Sequence, residues 1–164
     1  MGVNAIKIRQ GKKEDLAAIL SLIKELAEYE KAPLEVEVTL EEMDKNGFVE
    51  NPVFKFFVAE NEDGILGMAI YYIKYSTWKG PCIFLEDLIV TQSHRRQGIG
   101  ALLFEKMIEL AKEMKVPRLE WQVLEWNEPA INFYNKYNVN LDADWLNGKL
   151  VYSQLQKFKT EQNL

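Results

Sequence analysis

The chain has 164 residues, 48% hydrophobic and 27% charged, a composition typical of one globular domain spanning residues 1–164. The chain contains 20 Lys and Arg residues and 25 Asp and Glu residues, which gives a net charge of −5. This charge argues against a nucleic-acid-binding surface and suits a cationic small-molecule partner. A single cysteine and a single histidine exclude a disulfide framework and a Cys- or His-based metal cage. No apolar run is long enough to predict a membrane span or a signal peptide, so we expect a cytoplasmic protein without metal, membrane or nucleic-acid partners.

The first half of the chain predicts a strand, two helices and a hairpin. Apolar and charged residues alternate near the N-terminus, which indicates a half-buried strand, and the next apolar positions recur at helical spacing. Thr39, followed three positions later by Glu42, forms a capping box that begins a short second helix. In chain order we expect a strand at 5–10, helices at 12–30 and 39–48, and strands at 54–60 and 65–75 joined by a turn.

The second half predicts two helices among further strands. The segment 83–90 is too apolar for an exposed edge, which favours a central strand. A long helix follows Gly98, and a strand at 118–125 follows that helix. Asn127 as N-cap with Pro129 in the first turn predicts a helix reaching 137, and residues 139–158 are expected to supply the last strand or strands. The order β-α-α-β-β-β-α-β-α-β predicts an α/β fold with a mixed sheet.

The most informative motif is Arg95-Arg96-Gln97-Gly98-Ile99-Gly100-Ala101, which lies between the apolar strand and the long helix. Glycines let main-chain N–H groups approach a ligand, and the start of a helix carries a partial positive charge, so the motif suits a phosphate or diphosphate. The alternative is a simple glycine turn with two solvated arginines. A Walker A loop is excluded because Ala101 follows Gly100, and a dinucleotide fingerprint is excluded because Leu103 occupies its third glycine position.

This motif resembles the pyrophosphate loop of the GNAT N-acetyltransferases. A second segment, Glu125-Trp126-Asn127-Glu128-Pro129-Ala130-Ile131-Asn132-Phe133-Tyr134, resembles the second cofactor-contacting helix and catalytic tyrosine of their spermidine/spermine and thialysine branch. Ser76-Thr77-Trp78 is closer to the thialysine-acetylating relatives. The resemblance implies the GNAT fold with a mixed, mostly antiparallel sheet flanked by helices, acetyl-CoA as donor, a small cationic amine as acceptor, and a homodimer. The cofactor contacts that it implies are Leu88, Ile89, Val90, Arg95, Arg96, Gln97, Gly98, Ile99, Gly100, Ala101, Asn127, Ala130, Phe133 and Tyr134.

Acetyl transfer to an amine requires a neutral nitrogen, and an alkylammonium with a pKa of about 10.4 loses its proton at pH 7 at a cost of about 4.6 kcal/mol. Glu86 on the apolar strand is the candidate base, acting directly or through water. Tyr134 can donate a proton to the departing thiolate. A main-chain N–H near Ile89 or Val90 is the expected oxyanion donor if the strand splays there. For substrate binding we expect Tyr29, Glu30, Trp78 and Asp87, and the resemblance adds Glu120, Trp121 and Gln122.

The chain departs from the family pattern at several positions. Polyamine-type members commonly carry an acid where Ser76 stands, which puts a preference for spermidine or spermine in doubt. Ala130 replaces a frequent hydroxyl residue, and Asn138 stands where glycine is usual but can adopt the same left-handed conformation. Two other functions stay open: a protein lysine or N-terminal acetyltransferase, and a non-catalytic acyl-CoA-binding sensor.

Overall fold

The computed structural model describes residues 5–157, and its centre is a five-stranded sheet in the order β1-β2-β3-β4-β5. The described residues up to Gln122 form one compact unit, and those from Val123 onward form a second. The strands are β1 (Lys7–Gln10), β2 (Lys55–Asn61), β3 (Gly64–Ser76), β4 (Gly80–Val90) and β5 (Leu119–Trp121). The helices are α1 (Leu16–Tyr29), α2 (Leu40–Gly47), α3 (Ile99–Glu113), α4 (Glu128–Asn135) and α5 (Tyr152–Lys157).

The sheet is mixed and mostly antiparallel, as the resemblance implied. Strands β1 to β4 pair antiparallel in sequence order, and β5 pairs parallel to β4 after the crossover through α3. Strand β4 therefore has a neighbour on each side, which agrees with its apolar sequence, although β3 occupies the middle of the sheet.

Both faces of the sheet are covered by helices in the first unit. Helix α3 contributes four buried side chains, Ile99, Leu103, Phe104 and Met107, and the ring of Phe104 meets that of Trp121 edge-on at 5.2 Å. The other face packs against α1 and α2. Its core consists of Leu16, Ile19, Leu22, Met43, Phe56, Val58, Met68, Ile70 and Ile89. Ile89 belongs to this core, so packing against α1 and α2 fixes the position of the end of β4.

Local sequence signals placed the helix starts correctly. In α2, the Thr39 hydroxyl accepts the Glu42 N–H at 3.2 Å, and a carboxylate oxygen of Glu42 accepts the Thr39 N–H at 2.8 Å, which is the predicted capping box. In the second unit, the Asn127 side chain caps α4 as expected. Asn138 adopts the left-handed conformation with φ 54°, so the turn after α4 forms without glycine.

The expected last strand is wrong for the described residues 139–157, which form an irregular segment followed by α5. Asn and Asp recur through 138–147, and their side chains bind nearby backbone, as where the Asp144 N–H donates to Asp142 at 2.9 Å. Phe158 lies outside the described residues. The strand expected at 118–125 is reduced to β5, and the loop expected at 76–81 is a tight turn between Ser76 and Gly80.

Candidate active site

Strand β4 carries a bulge at Glu86. On β3, Ile70 pairs with Asp87 whereas Tyr71 pairs with Leu85, so the register passes over Glu86. An extra residue in one strand bends that strand and turns its side chains away from strict alternation. Glu86 is consequently exposed although both Leu85 and Ile89 are buried. The bulge places Glu86 at the surface, next to the partly buried Asp87.

Two carboxylates of the first unit act on the pKa of a third. Burial and, to a smaller extent, the negative charges of Glu86 and Glu30 together raise the pKa of Asp87 to about 6. Burial also raises the pKa of Glu30, which directly follows α1. Glu30 and Glu86 therefore both lie close enough to Asp87 to act on its pKa, and a cation bound beside Asp87 would offset their negative charges.

Tyr72 is a contributor that the sequence did not reveal. Its side chain lies beside Glu86, and burial together with the Glu86 charge raises the pKa of Tyr72. The Tyr72 ring packs on the ring of Phe84 at 5.3 Å between centroids. The bulge explains why the proximity of Tyr72 and Glu86 was not predicted. If β3 and β4 are paired without the bulge, Tyr72 receives a different neighbour.

The loop before α3 has the backbone shape that the glycine motif predicted. Arg96 and Gly98 both lie in the left-handed region, with φ 62° and φ 83°, and Gly98 is the N-cap of α3. A Cβ added at Gly98 would meet no atom of the described residues within 4 Å. Arg96, Gln97 and Gly98 are exposed, so main-chain N–H groups at this helix start can face a ligand.

Arg95 is directed toward the protein and contacts Tyr29. Its Nε donates to the carbonyl of Val90 at 2.9 Å, and its guanidinium lies 5.0 Å from the centre of the Tyr29 ring. The structure thus joins a predicted cofactor residue and a predicted substrate residue in one contact. Glu25 of α1, which the sequence did not single out, accepts bonds from the segment just before Arg95.

The edge of β4 next to β5 is open beyond the bulge. In the described part of the chain, pairing with β5 covers Ile83 to Leu85. The N–H of Thr91 donates to Leu66 on the β3 side at 2.8 Å, and alternation along an antiparallel ladder turns the N–H of Val90 to the opposite side. Of the two amides expected as oxyanion donors, that of Val90 therefore faces the open edge and that of Ile89 faces β3.

Of the remaining predicted substrate residues of the first unit, Trp78 lies far from the carboxylates, whereas Glu120 and Trp121 pair with Phe84 and Leu85, just before Glu86. Trp78 is 83% exposed at the turn between β3 and β4, roughly 20 Å along the strand from the Ile70–Asp87 pair, at about 3.3 Å per residue. Glu120 forms ion pairs with Lys74 at 2.8 Å and with Arg118 at 2.9 Å. Trp121 packs on Phe104, and Gln122 is exposed at the end of the unit.

The second unit contains the predicted tyrosine on a capped helix. Asn127 is buried, and its side chain accepts the N–H of Ala130 at 3.3 Å. Tyr134 is 7% exposed, and its ring lies 5.1 Å from that of Phe133 in an edge-on arrangement. The cap and the ring contact fix the start and the middle of α4, so the position of Tyr134 on this helix is well defined.

The described part of the chain contains neither a candidate metal site nor a candidate membrane span. Among residues 5–157, no group of three or more His, Cys, Asp and Glu side chains is placed to hold a metal ion. None of the described helices combines the length and the apolar character needed to cross a bilayer.

Comparisons with known proteins point to one enzyme family. Residues 16–138 match the acetyltransferase (GNAT) family. The chain is 39% identical to the thialysine N-epsilon-acetyltransferase of Bos taurus, over 79% of this chain and 81% of that protein. It is 34% identical to the human spermidine/spermine N(1)-acetyltransferase-like protein 1, over 78% of this chain and 19% of that protein. Among solved structures, an aminoglycoside acetyltransferase from an uncultured soil sample superposes with a TM-score of 0.75 at 21% identity, covering 91% of this chain and 97% of the other, which shows the same fold.

Proposed function

The chain belongs to the GNAT acetyltransferase family, and from that premise we propose that it transfers acetyl from acetyl-CoA to a primary amine of a small cationic metabolite. The observation that carries this proposal is the cluster of Glu30, Glu86 and Asp87 at the β4 bulge, where burial and mutual repulsion raise the pKa of Asp87. An ammonium group is the natural partner of such a cluster. The amine attacks directly, in a complex that holds both substrates.

We expect residues Arg96 to Ala101 to hold the diphosphate of acetyl-CoA. The left-handed Arg96 and Gly98, the open space beside Gly98 and the start of α3 all support this assignment. Acetyl-CoA supplies an acetyl thioester that a neutral amine can attack. The N–H of Val90, directed toward the open edge of β4, is suited to donate to the carbonyl oxygen of that group.

The carboxylates of the first unit bind the acceptor and remove its proton. The sequence assigned proton acceptance to Glu86, and we extend that role to the pair Glu86 and Asp87. A carboxyl with a pKa near 6 accepts a proton at neutral pH more readily than an ordinary aspartate, whose pKa lies near 3.9. Tyr72 lies beside Glu86 and borders the same pair. Glu86 and Asp87 are consecutive residues at the bulge, which is why the role is proposed for the pair.

In the second unit, we assign the general acid to Tyr134. A phenol with a pKa of about 10 is protonated at pH 7 and can donate its proton to a thiolate as the amide forms. Its place on α4, seven residues after the Asn127 cap, and its burial support a fixed rather than a solvated hydroxyl. Asn127, Ala130 and Phe133 are proposed to contact the cofactor from the same helix.

The charges around Glu120, which lies on β5 opposite Phe84, favour a thialysine-like acceptor over a polyamine. Arg118 donates to the Ser76 hydroxyl at 2.8 Å, and the Lys74 ammonium lies 5.5 Å from the centre of the Phe84 ring. The two positive charges of Lys74 and Arg118 exceed the single negative charge of Glu120, which pairs with both residues. A second ammonium on a polyamine would be repelled here, whereas the carboxylate of an amino acid such as thialysine would be attracted.

A panel of acceptors tests the proposal and its alternatives. Release of CoA thiol is measured with thialysine, lysine, spermidine, diaminopropane and a lysine-containing peptide. We expect the highest kcat/KM with thialysine. The highest kcat/KM with the peptide would instead indicate a protein acetyltransferase, and CoA binding without turnover of any amine would indicate a sensor. The homodimer, the cytoplasmic location and the single domain over residues 1–164 stay predictions, which sedimentation, localisation and proteolysis of the full chain would test.

A further inference from the structure

Glu25 on α1 binds the chain where β4 ends. One carboxylate oxygen accepts the N–H of Gln92 at 2.7 Å, and the other accepts the Thr91 hydroxyl at 2.9 Å. These contacts join residues separated by 66 and 67 positions in sequence. Neither partner belongs to the glycine motif, so the sequence pattern did not draw attention to them.

Further contacts hold the same segment from other directions. The N–H of Thr91 donates to Leu66 on β3 at 2.8 Å, and Arg95 Nε donates to the Val90 carbonyl at 2.9 Å. Arg95 also lies 3.5 Å from Glu25, atom to atom. The segment 90–95 is thus attached to β3, β4 and α1 immediately before the left-handed turn at Arg96.

We propose that Glu25 is a positioning residue for the diphosphate loop, fixing residues 91–95 so that the turn at 96–98 is formed before the ligand arrives. This inference rests on the proposed binding of acetyl-CoA. A loop that is already ordered does not lose conformational entropy on binding, so its affinity for the anion is higher. The side chains of Glu25 and Arg95 are 30% and 34% exposed, and ion pairs this exposed contribute little to global stability.

The sign of the effect separates positioning from simple electrostatics. Removing a negative charge close to an anion site strengthens anion binding by Coulomb's law, and it also frees Arg95 to contact the anion. Loss of the ordered loop weakens anion binding. The variant Glu25→Gln therefore gives opposite results under the two explanations.

The experiment measures the Kd of CoA by calorimetry for the wild type, Glu25→Gln and Glu28→Gln. Glu28 is an exposed residue of the same helix, so Glu28→Gln makes the same charge change without touching the loop. We expect Glu25→Gln to raise the Kd about tenfold with an unchanged unfolding temperature, and Glu28→Gln to leave the Kd within twofold. Amide hydrogen exchange without ligand should rise at residues 91–98 in Glu25→Gln and stay unchanged elsewhere.

A second variant keeps the test decisive. Thr91→Val removes one donor to Glu25 at nearly constant volume and should raise the Kd by a smaller factor, about threefold. A Kd for CoA in Glu25→Gln that is equal to or lower than the wild-type value overturns the positioning role. If Glu25→Gln does not fold, the same result in Thr91→Val overturns it. A wild-type chain without measurable affinity for CoA overturns the proposed function instead, so the two failures are distinguishable.

Discussion

Replacing Asp87 with asparagine should stabilise the protein at neutral and alkaline pH. Burial and the charges of Glu86 and Glu30 raise the pKa of Asp87 from 3.8 to about 6. A carboxyl whose pKa is higher in the folded state binds its proton more tightly when folded. It therefore adds stability at low pH, and that contribution is lost as the pH rises through about 6.

The size of the effect follows from the two pKa values. The difference between 3.8 and about 6 corresponds to about 3 kcal/mol of unfolding free energy, at 1.36 kcal/mol for each tenfold change in proton affinity. Asparagine has nearly the same shape and stays neutral. Asp87→Asn should thus match the wild type near pH 4 and exceed its unfolding free energy by about 2–3 kcal/mol at pH 8.

Urea unfolding followed by tryptophan fluorescence at pH 4, 6 and 8 measures this difference. Glu62→Gln, which neutralises an exposed acid in the turn between β2 and β3, serves as the control and should give no pH-dependent gain. A destabilised Asp87→Asn variant at pH 8, or a gain that is equal at pH 4 and pH 8, would refute the reasoning. The same variant should lose most of its acetyl-transfer activity, because only Glu86 is then left to take the proton from the amine.

Three further substitutions probe the remaining groups. Tyr134→Phe should lower CoA thiol release with the best amine about 10²–10⁴-fold while calorimetry shows an unchanged Kd for CoA, and full turnover would exclude the acid role. Tyr72→Phe removes the hydroxyl beside Glu86 and keeps the ring packed on Phe84, so CoA thiol release should fall at an unchanged unfolding temperature, and full turnover would contradict a role for Tyr72. Gly98→Ala strains a left-handed residue, so it should lower the free energy of unfolding by about 1 kcal/mol and weaken CoA binding about tenfold. The control Gly148→Ala changes an exposed glycine with open space at its Cβ and should change neither quantity. Thermal unfolding and calorimetry measure the two effects.

Local signals in the sequence were sufficient for much of the fold. The capping box at Thr39, the Asn127 cap and the glycine at the start of α3 each act within one helical turn, so a short window of sequence contains all the partners. The β2–β3 hairpin is likewise defined by its turn. These features are determined by interactions between near neighbours, and all were predicted correctly.

The bulge at Glu86 could not be predicted in this way. It arises from pairing between β3 and β4, whose partners Ile70 and Asp87 are seventeen positions apart, and alternation within either strand alone does not reveal an extra residue. The sequence nevertheless singled out Glu86 and Asp87 as candidates, from carboxylates on an apolar strand and from the family resemblance. It missed Tyr72 and Glu25, because their roles depend on which residue lies opposite in the fold. The last strand failed for a different reason, since isolated apolar residues within an Asn- and Asp-rich segment resemble a strand without providing a partner for it.

The end of α1 links the two halves of the proposed chemistry within the first unit. Glu25 and Tyr29 contact the segment that leads into the diphosphate loop, and Glu30 acts on the pKa of Asp87. These residues span about 8 Å along the helix, at 1.5 Å per residue. A shift of this helix end moves the loop contacts and the third carboxylate together, because one rigid element carries both. Affinity for the donor and affinity for the amine should therefore be coupled, and the physical basis of that coupling is a shared helix end rather than a contact between the two ligands.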